Sequence, residues 1–232
     1  MALTDGLVSY YKFDGDATDS VGTNNGTVNG ATQVSGKINS AYSFNGSNNY
    51  IRRATFTPVP TSTLTLGVWI KTNSTSNQYI ITQGRHPQTI NGEYIFMMLS
   101  DGTLNFWDYN GNYGFSESNT SIGTINDGIW HYITFVKNGT SGEYYIDGVL
   151  DTTVSAVADR TYIQDDFTIG VDYRGSSEYF NGIMDEIGVW DRALSSSEIT
   201  ELYNSGAGLS YPFTTPSGSN NNFFTLSLGA EF

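Results

Sequence analysis

The 232-residue chain contains no cysteine, which excludes disulfides, thiolate metal sites and a cysteine nucleophile. Histidine is nearly as scarce, with only His86 and His131 present. A histidine-based triad would have to use one of these two poorly placed residues. The 10 basic residues stand against 23 acidic ones, giving a formal charge of −13. Phosphate backbones are gripped by clustered Lys and Arg, so nucleic acid is not an expected partner, and neither is an anionic membrane surface. No apolar run approaches the roughly 20 residues of a membrane span. The opening MALTDGLVSYYKF has neither the basic start nor the apolar core of a secretory signal. G-x-S-x-G, H-E-x-x-H and a phosphate-cradling loop are all missing.

What the chain has in quantity is glycine (26 residues) and aromatics (14%), the composition of many short strands joined by turns. LVSYYKF, AYSFNG, NYIRR, TLTLGVWIKTN, QYIITQG, GEYIFMMLS, TLNFWDYN, WHYITFVKN, GEYYIDGVL and DFTIGV read as strands. Asp101-Gly102 reads as a tight hairpin turn. The segment Asp14 to Gly36 is too irregular for regular structure and reads as an ordered loop. Asn110 to Gly128 is the expected long surface loop. This spacing predicts two packed antiparallel sheets.

The closing stretch Tyr179 to Leu209 organises the rest. Ile183, Asp185, Ile187 and Val189 share one parity, and Met184, Glu186, Gly188 and Trp190 the other, as in a strand. The period then becomes helical. Ser195 is the expected N-cap, Glu198 completes a capping box, and Leu194 with Ile199 forms a staple. Ile199, Leu202 and Tyr203 make one apolar stripe, and Gly206 is the expected stop.

Phe180, Gly182, Met184, Asp185, Glu186, Trp190, Arg192, Ala193, Leu194 and Ser195 fit a closing pattern F-x-G-x-I-D-E-x-x-x-[WY]-x-R-A-L-S. With the opening GLVSYYKF and the central DGIWH and YIDG, this resembles the laminin-G-like, concanavalin A-like lectin/glucanase superfamily over residues 6 to 213. The resemblance implies an all-β, two-sheet antiparallel jelly-roll sandwich over residues 1–213, with one short C-terminal helix. Residues 214–232 then make a linker and a terminal strand.

The resemblance also implies a structural calcium between the opening and closing segments, with Asp14, Asp19 and Asp185 as carboxylate ligands and Asn25 or a nearby carbonyl completing the shell. The alternative for Asp14 and Asp19 is turn capping. Trp69, Trp130 and Trp190 read as packing, and His131 as a satisfied structural histidine. Trp107, Tyr109, Tyr113 and Phe115 crowd a strand end and a Gly/Asn loop. Aromatic faces of this kind stack on sugar C–H faces, and Arg85, His86, Tyr173 and Arg174 are placed to line the same rim. Glucanases on this fold carry E-x-D-x-x-E, holding two carboxylates about 5 Å apart. That motif is absent, so an enzyme is not expected.

The expected function is therefore a non-catalytic carbohydrate-binding or adhesion module on an extracellular or virion surface, its partner a glycan. The alternative is a structural decoration subunit of a phage particle. In that case the alternating FFTLSLGAEF at 223–232 would pair with an assembly partner or a second copy. A divergent glucanase is the third and weakest reading.

Overall fold

The computed structural model describes residues 1–57, 62–84, 93–109, 119–155, 165–172 and 177–214. Fifteen strands and one helix are found there: β1 (Leu7–Tyr11), β2 (Thr27–Asn29), β3 (Thr32–Ser35), β4 (Ser40–Asn45), β5 (Tyr50–Arg53), β6 (Thr63–Lys71), β7 (Gln78–Gln83), β8 (Glu93–Met98), β9 (Thr103–Tyr109), β10 (Thr120–Thr124), β11 (Trp130–Asn138), β12 (Ser141–Ile146), β13 (Val149–Ser155), β14 (Phe167–Ile169), β15 (Asn181–Trp190) and α1 (Ser196–Tyr203).

They form two antiparallel sheets. The eight-stranded sheet runs β13-β12-β11-β6-β15-β4-β3, with β1 also on β15, and the seven-stranded sheet runs β10-β9-β8-β7-β14-β5-β2. This is the expected sandwich with its short C-terminal helix. Two local expectations fail. The loop read from Asp14 to Gly36 contains β2 and β3, which pair with β5 and β4 respectively. The surface loop read from Asn110 to Gly128 contains β10, paired with β9. Consecutive strands also change sheet: β4 lies in one and β5 in the other, as do β6 and β7.

The core lies between the sheets, where Leu64, Leu66, Val68 and Ile70 of β6 meet residues such as Tyr94, Phe96 and Met98 of β8. Alternation puts these on the inner faces. Each such side chain, fully buried, contributes roughly 1.5–3 kcal/mol.

β15 breaks its own alternation. Its register with β6 shifts between Asp185 and Gly188, and Glu186 holds a left-handed φ of 49°. This bulge moves every later side chain to the other face. Met184 therefore joins Ile187 and Val189 in the core, instead of sharing a face with Trp190. Trp190 packs outside the sheet with Trp69, Leu194, Ile199 and Leu202.

That outer cluster is where α1 docks. Ser195 Oγ accepts from Glu198 N, and the Glu198 side chain accepts from Ser195 N at 2.8 Å, closing the capping box. The α-helix takes its left-handed cap at Asn204, φ 50°, two residues before Gly206, and a 3-10 turn covers Asn204–Gly206. A carboxamide residue tolerates that conformation better than most L side chains.

Candidate functional site

The face of the seven-stranded sheet turned away from the core carries its own apolar cluster. Tyr79, Ile95 and Met97 are buried in it, and Leu99 and Trp107 pack against them. Register explains the cluster. Thr168 faces Thr82, Thr82 faces Ile95, and Ile95 faces Trp107. The neighbouring row is Tyr79, Met97, Asn105 and Thr120. Directly opposed side chains on one face touch across the strands. The face is thus apolar at its centre and polar at its margins.

At one end of this face lies a cleft of about 520 Å3, lined among others by Met97, Leu99, Asp101, Asn105, Thr120 and Glu178. It adjoins a rim cleft of about 620 Å3 that includes Asn45, Ser74, Gln78, Tyr179 and Asn181. Asn77 Oδ1 accepts from Ser100 N at 2.8 Å and so fixes the two rim loops to each other. Thr103 donates to Asp101 through both its N (2.9 Å) and its Oγ1 (2.7 Å). Those bonds, the backbone one first, hold the Asp101 carboxyl below its ordinary range, so it stays ionised. Glu178 sits at a left-handed φ of 51°, and Tyr79 N donates to its carbonyl at 3.0 Å.

Of the aromatic residues singled out for sugar binding, Trp107 lies on this face. Tyr109 ends β9, and its side chain lies outside the described residues. So do Arg85, His86, Tyr113, Phe115, Tyr173 and Arg174. Met97, Leu99, Asn105 and Glu178 were not anticipated. GEYIFMMLS carried a signal for the first two, because Ile95, Met97 and Leu99 alternate with Tyr94, Phe96 and Met98. That makes both faces of β8 apolar.

The proposed calcium ligands are not brought together as one shell. Asp19 takes four donors: Ser9 Oγ at 3.0 Å, Tyr10 N at 3.1 Å, Val21 N at 3.1 Å and Asn24 N at 3.0 Å. Asn25 Oδ1 accepts from Asp19 N. Asp14 instead accepts from Asn39 Nδ2 and Ser40 N. Asp185 accepts from Ile38 N and Glu186 N, both at 3.0 Å. Among the described residues, no three acidic or histidine side chains group so as to hold a metal ion. The arrangement does not fit one calcium ion held by all four. Asp14 and Asp19 instead fasten turns through their side chains.

Asp185 and Glu186 lie on the opposite sheet, beneath the α1 side. Burial is the chief cause that pushes Asp185 up to about 8 and Glu186 up to about 7. No well-formed hydrogen bond reaches the Glu186 carboxylate, although the Tyr10 and Ser210 hydroxyls lie close enough to offset part of the burial. The nearby Tyr10 hydroxyl donates to Leu209 O at 3.3 Å instead. Both groups are enclosed, at 0% and 1% exposure, so no substrate reaches them. A third cleft of about 570 Å3 lies against α1, but its Arg192 and Glu198 are already paired with each other. His131 is held between Asp147 (2.9 Å) and Asp127 (3.1 Å), a structural histidine as its sequence context implied.

A sequence-family model matches residues 45–200 and describes the concanavalin A-like lectin/glucanases superfamily. The chain belongs to this superfamily. Solved structures share the fold at low identity. Domain 4 of AbnA, an extracellular GH43 arabinanase of Geobacillus stearothermophilus, solved with arabinotriose, has a TM-score of 0.61 at 22% identity over 84% of this chain and 97% of that one. The binding domain of Paraclostridial Mosquitocidal Protein 1 gives 0.64 and 20% over 88% of this chain and 53% of its own. The binding domain of botulinum neurotoxin DC in complex with SialylT gives 0.62 and 14%, over 88% and 52%. This chain therefore spans about half the length of those toxin domains. No curated protein sequence matches. Among the described residues, no helix is long and apolar enough to cross a membrane.

Proposed function

We propose that this superfamily member is a non-catalytic carbohydrate-binding module acting on an extracellular surface, and that it binds through the outer face of its seven-stranded sheet. One observation carries the reading: partly exposed Trp107 and Leu99, seated on the buried Tyr79, Ile95 and Met97, beside a cleft edged by Thr120 and Asp101. Sugar rings present C–H faces to such a platform and hydroxyls to its polar margin. The neighbour solved with arabinotriose supports the reading by analogy of fold. Asp101, held ionised by Thr103, is suited to accept sugar hydroxyls rather than to act as a general acid.

The test is a panel of soluble polysaccharides in affinity electrophoresis, run with wild type and Trp107→Ala. Wild type is expected to be retarded by at least one neutral polysaccharide. The variant should bind it at least tenfold more weakly, with circular dichroism and thermal midpoint confirming its fold. A wild type that binds no glycan, or a folded variant that binds equally well, overturns the assignment. Release of reducing sugar would return the chain to the glucanases.

A further inference from the structure

The sheet-face cleft and the rim cleft have Asn77, Ser100 and Glu178 in common. Each alone, at about 520 and about 620 Å3, lies in the range of roughly 300–1,000 Å3 that holds a whole small ligand. Joined at Glu178, they make a groove longer than one sugar ring needs.

The groove's chemistry is one-sided. Its charged side chains among the described residues are carboxylates, Asp101 and Glu178, and none of the described residues lining either cleft is Lys or Arg. Asp101 is fixed in the ionised form by Thr103. Gln78, which lines the rim cleft and is 2% exposed, has an Oε1 with no hydrogen-bond partner. A buried acceptor without a donor is a costly arrangement unless something supplies one. Carboxylates and an unpaired amide oxygen ask for donors. Sugar hydroxyls are donors, whereas the carboxylate of a uronic or sialic acid only accepts and carries the wrong sign. The overall charge of −13 adds to the repulsion.

Resting on the carbohydrate-binding reading, we infer that the two clefts form one groove for an uncharged glycan of several residues, with Glu178 at the junction discriminating against acidic sugars. Glu178 acts here by charge. Its left-handed backbone and the bond from Tyr79 N to its carbonyl set where that charge stands.

The experiment measures affinity for neutral polysaccharides (arabinan, galactan, xylan, glucan) and acidic ones (polygalacturonate, heparin), with the matched pairs lactose against sialyllactose and methyl-esterified against free polygalacturonate. Oligosaccharides of one to six residues from the best neutral ligand follow. The acidic member of a bound pair should be weaker by about tenfold, the effect of one like-charge contact at an intermediate dielectric. Affinity should also rise with chain length beyond a single residue. Glu178→Gln should strengthen the acidic member more than the neutral one and narrow the gap to about threefold. Preference for the acidic member, an affinity flat with length, or an unchanged gap in a folded Glu178→Gln overturns the inference and leaves the carbohydrate reading standing. Failure of every glycan to bind overturns both.

Discussion

Gly67 and Gly188 face each other across the β6–β15 ladder, where the rings of Tyr132 and Trp190 lie down on the sheet. A Cβ on Gly67 would strike the Tyr132 hydroxyl and come within 3.6 Å of the Trp190 ring, and one on Gly188 would enter the Trp190 ring itself. The missing side chains are the space into which the outer cluster packs. Gly67→Ala and Gly188→Ala should each cost about 1–3 kcal/mol, as overpacked interiors do. Urea unfolding measures this. An unchanged midpoint for Gly188→Ala would mean that Trp190 has room to slide.

Arg192 meets Glu198 with both terminal nitrogens, at 2.6 and 3.0 Å, and the same guanidinium donates to Ala2 O and Asp5 O. Glu198 also closes the helix cap. The Arg192 side chain, ahead of the Ser195 bonds, holds the Glu198 carboxyl down at about 2 from an ordinary 4.5. A depressed carboxyl stabilises the fold above its unfolded value and loses that contribution as pH falls through its folded one. Wild type should lose stability between pH 4.5 and about 2, and Glu198→Ala should lose about 2–4 kcal/mol at neutral pH. The variant's stability should then respond less to acid. Thermal midpoints at pH 7, 4 and 2.5 check both, and parallel pH curves for the two proteins would refute the assignment.

His131 titrates the other way. The hydrogen bond that His131 Nδ1 donates to Asp147, opposed by partial burial and joined by the one to Asp127, raises it above 6.5. A raised histidine contributes fully below its unfolded value, and the contribution fades as pH climbs through the folded one. Wild type should therefore exceed His131→Gln most clearly at pH 5.5, and the gap should shrink by pH 8.5. The difference in midpoint between the two proteins across that range is the measurement. A gap that widens with pH would show that the histidine is held neutral.

The sequence disclosed most where the determining interaction is local. The Ser195–Glu198 capping box is complete within three residues, so it could be read from the letters alone. β2 and β3 leave no strand pattern in the sequence because they are short and bury no residue fully. Nothing in their alternation marks them, and only their partners β5 and β4 make them strands. The parity of β15 departs from its sequence pattern for a related reason. A glutamate in the left-handed region at the bulge is imposed by the neighbouring strands and leaves no local trace. The site was half legible. Trp107 was visible as an aromatic at a strand end, but Asn77, Asp101 and Glu178 meet in one groove only after three separate loops have folded together.

Leu3, Leu209, Tyr211 and Phe213 all lie in the cluster outside the eight-stranded sheet. That is the side of the sandwich away from the Trp107 platform. A tether attached beside Leu3 or Phe213 thus pulls from behind. A carrier held at that cluster leaves the opposite face, with its groove, turned outward.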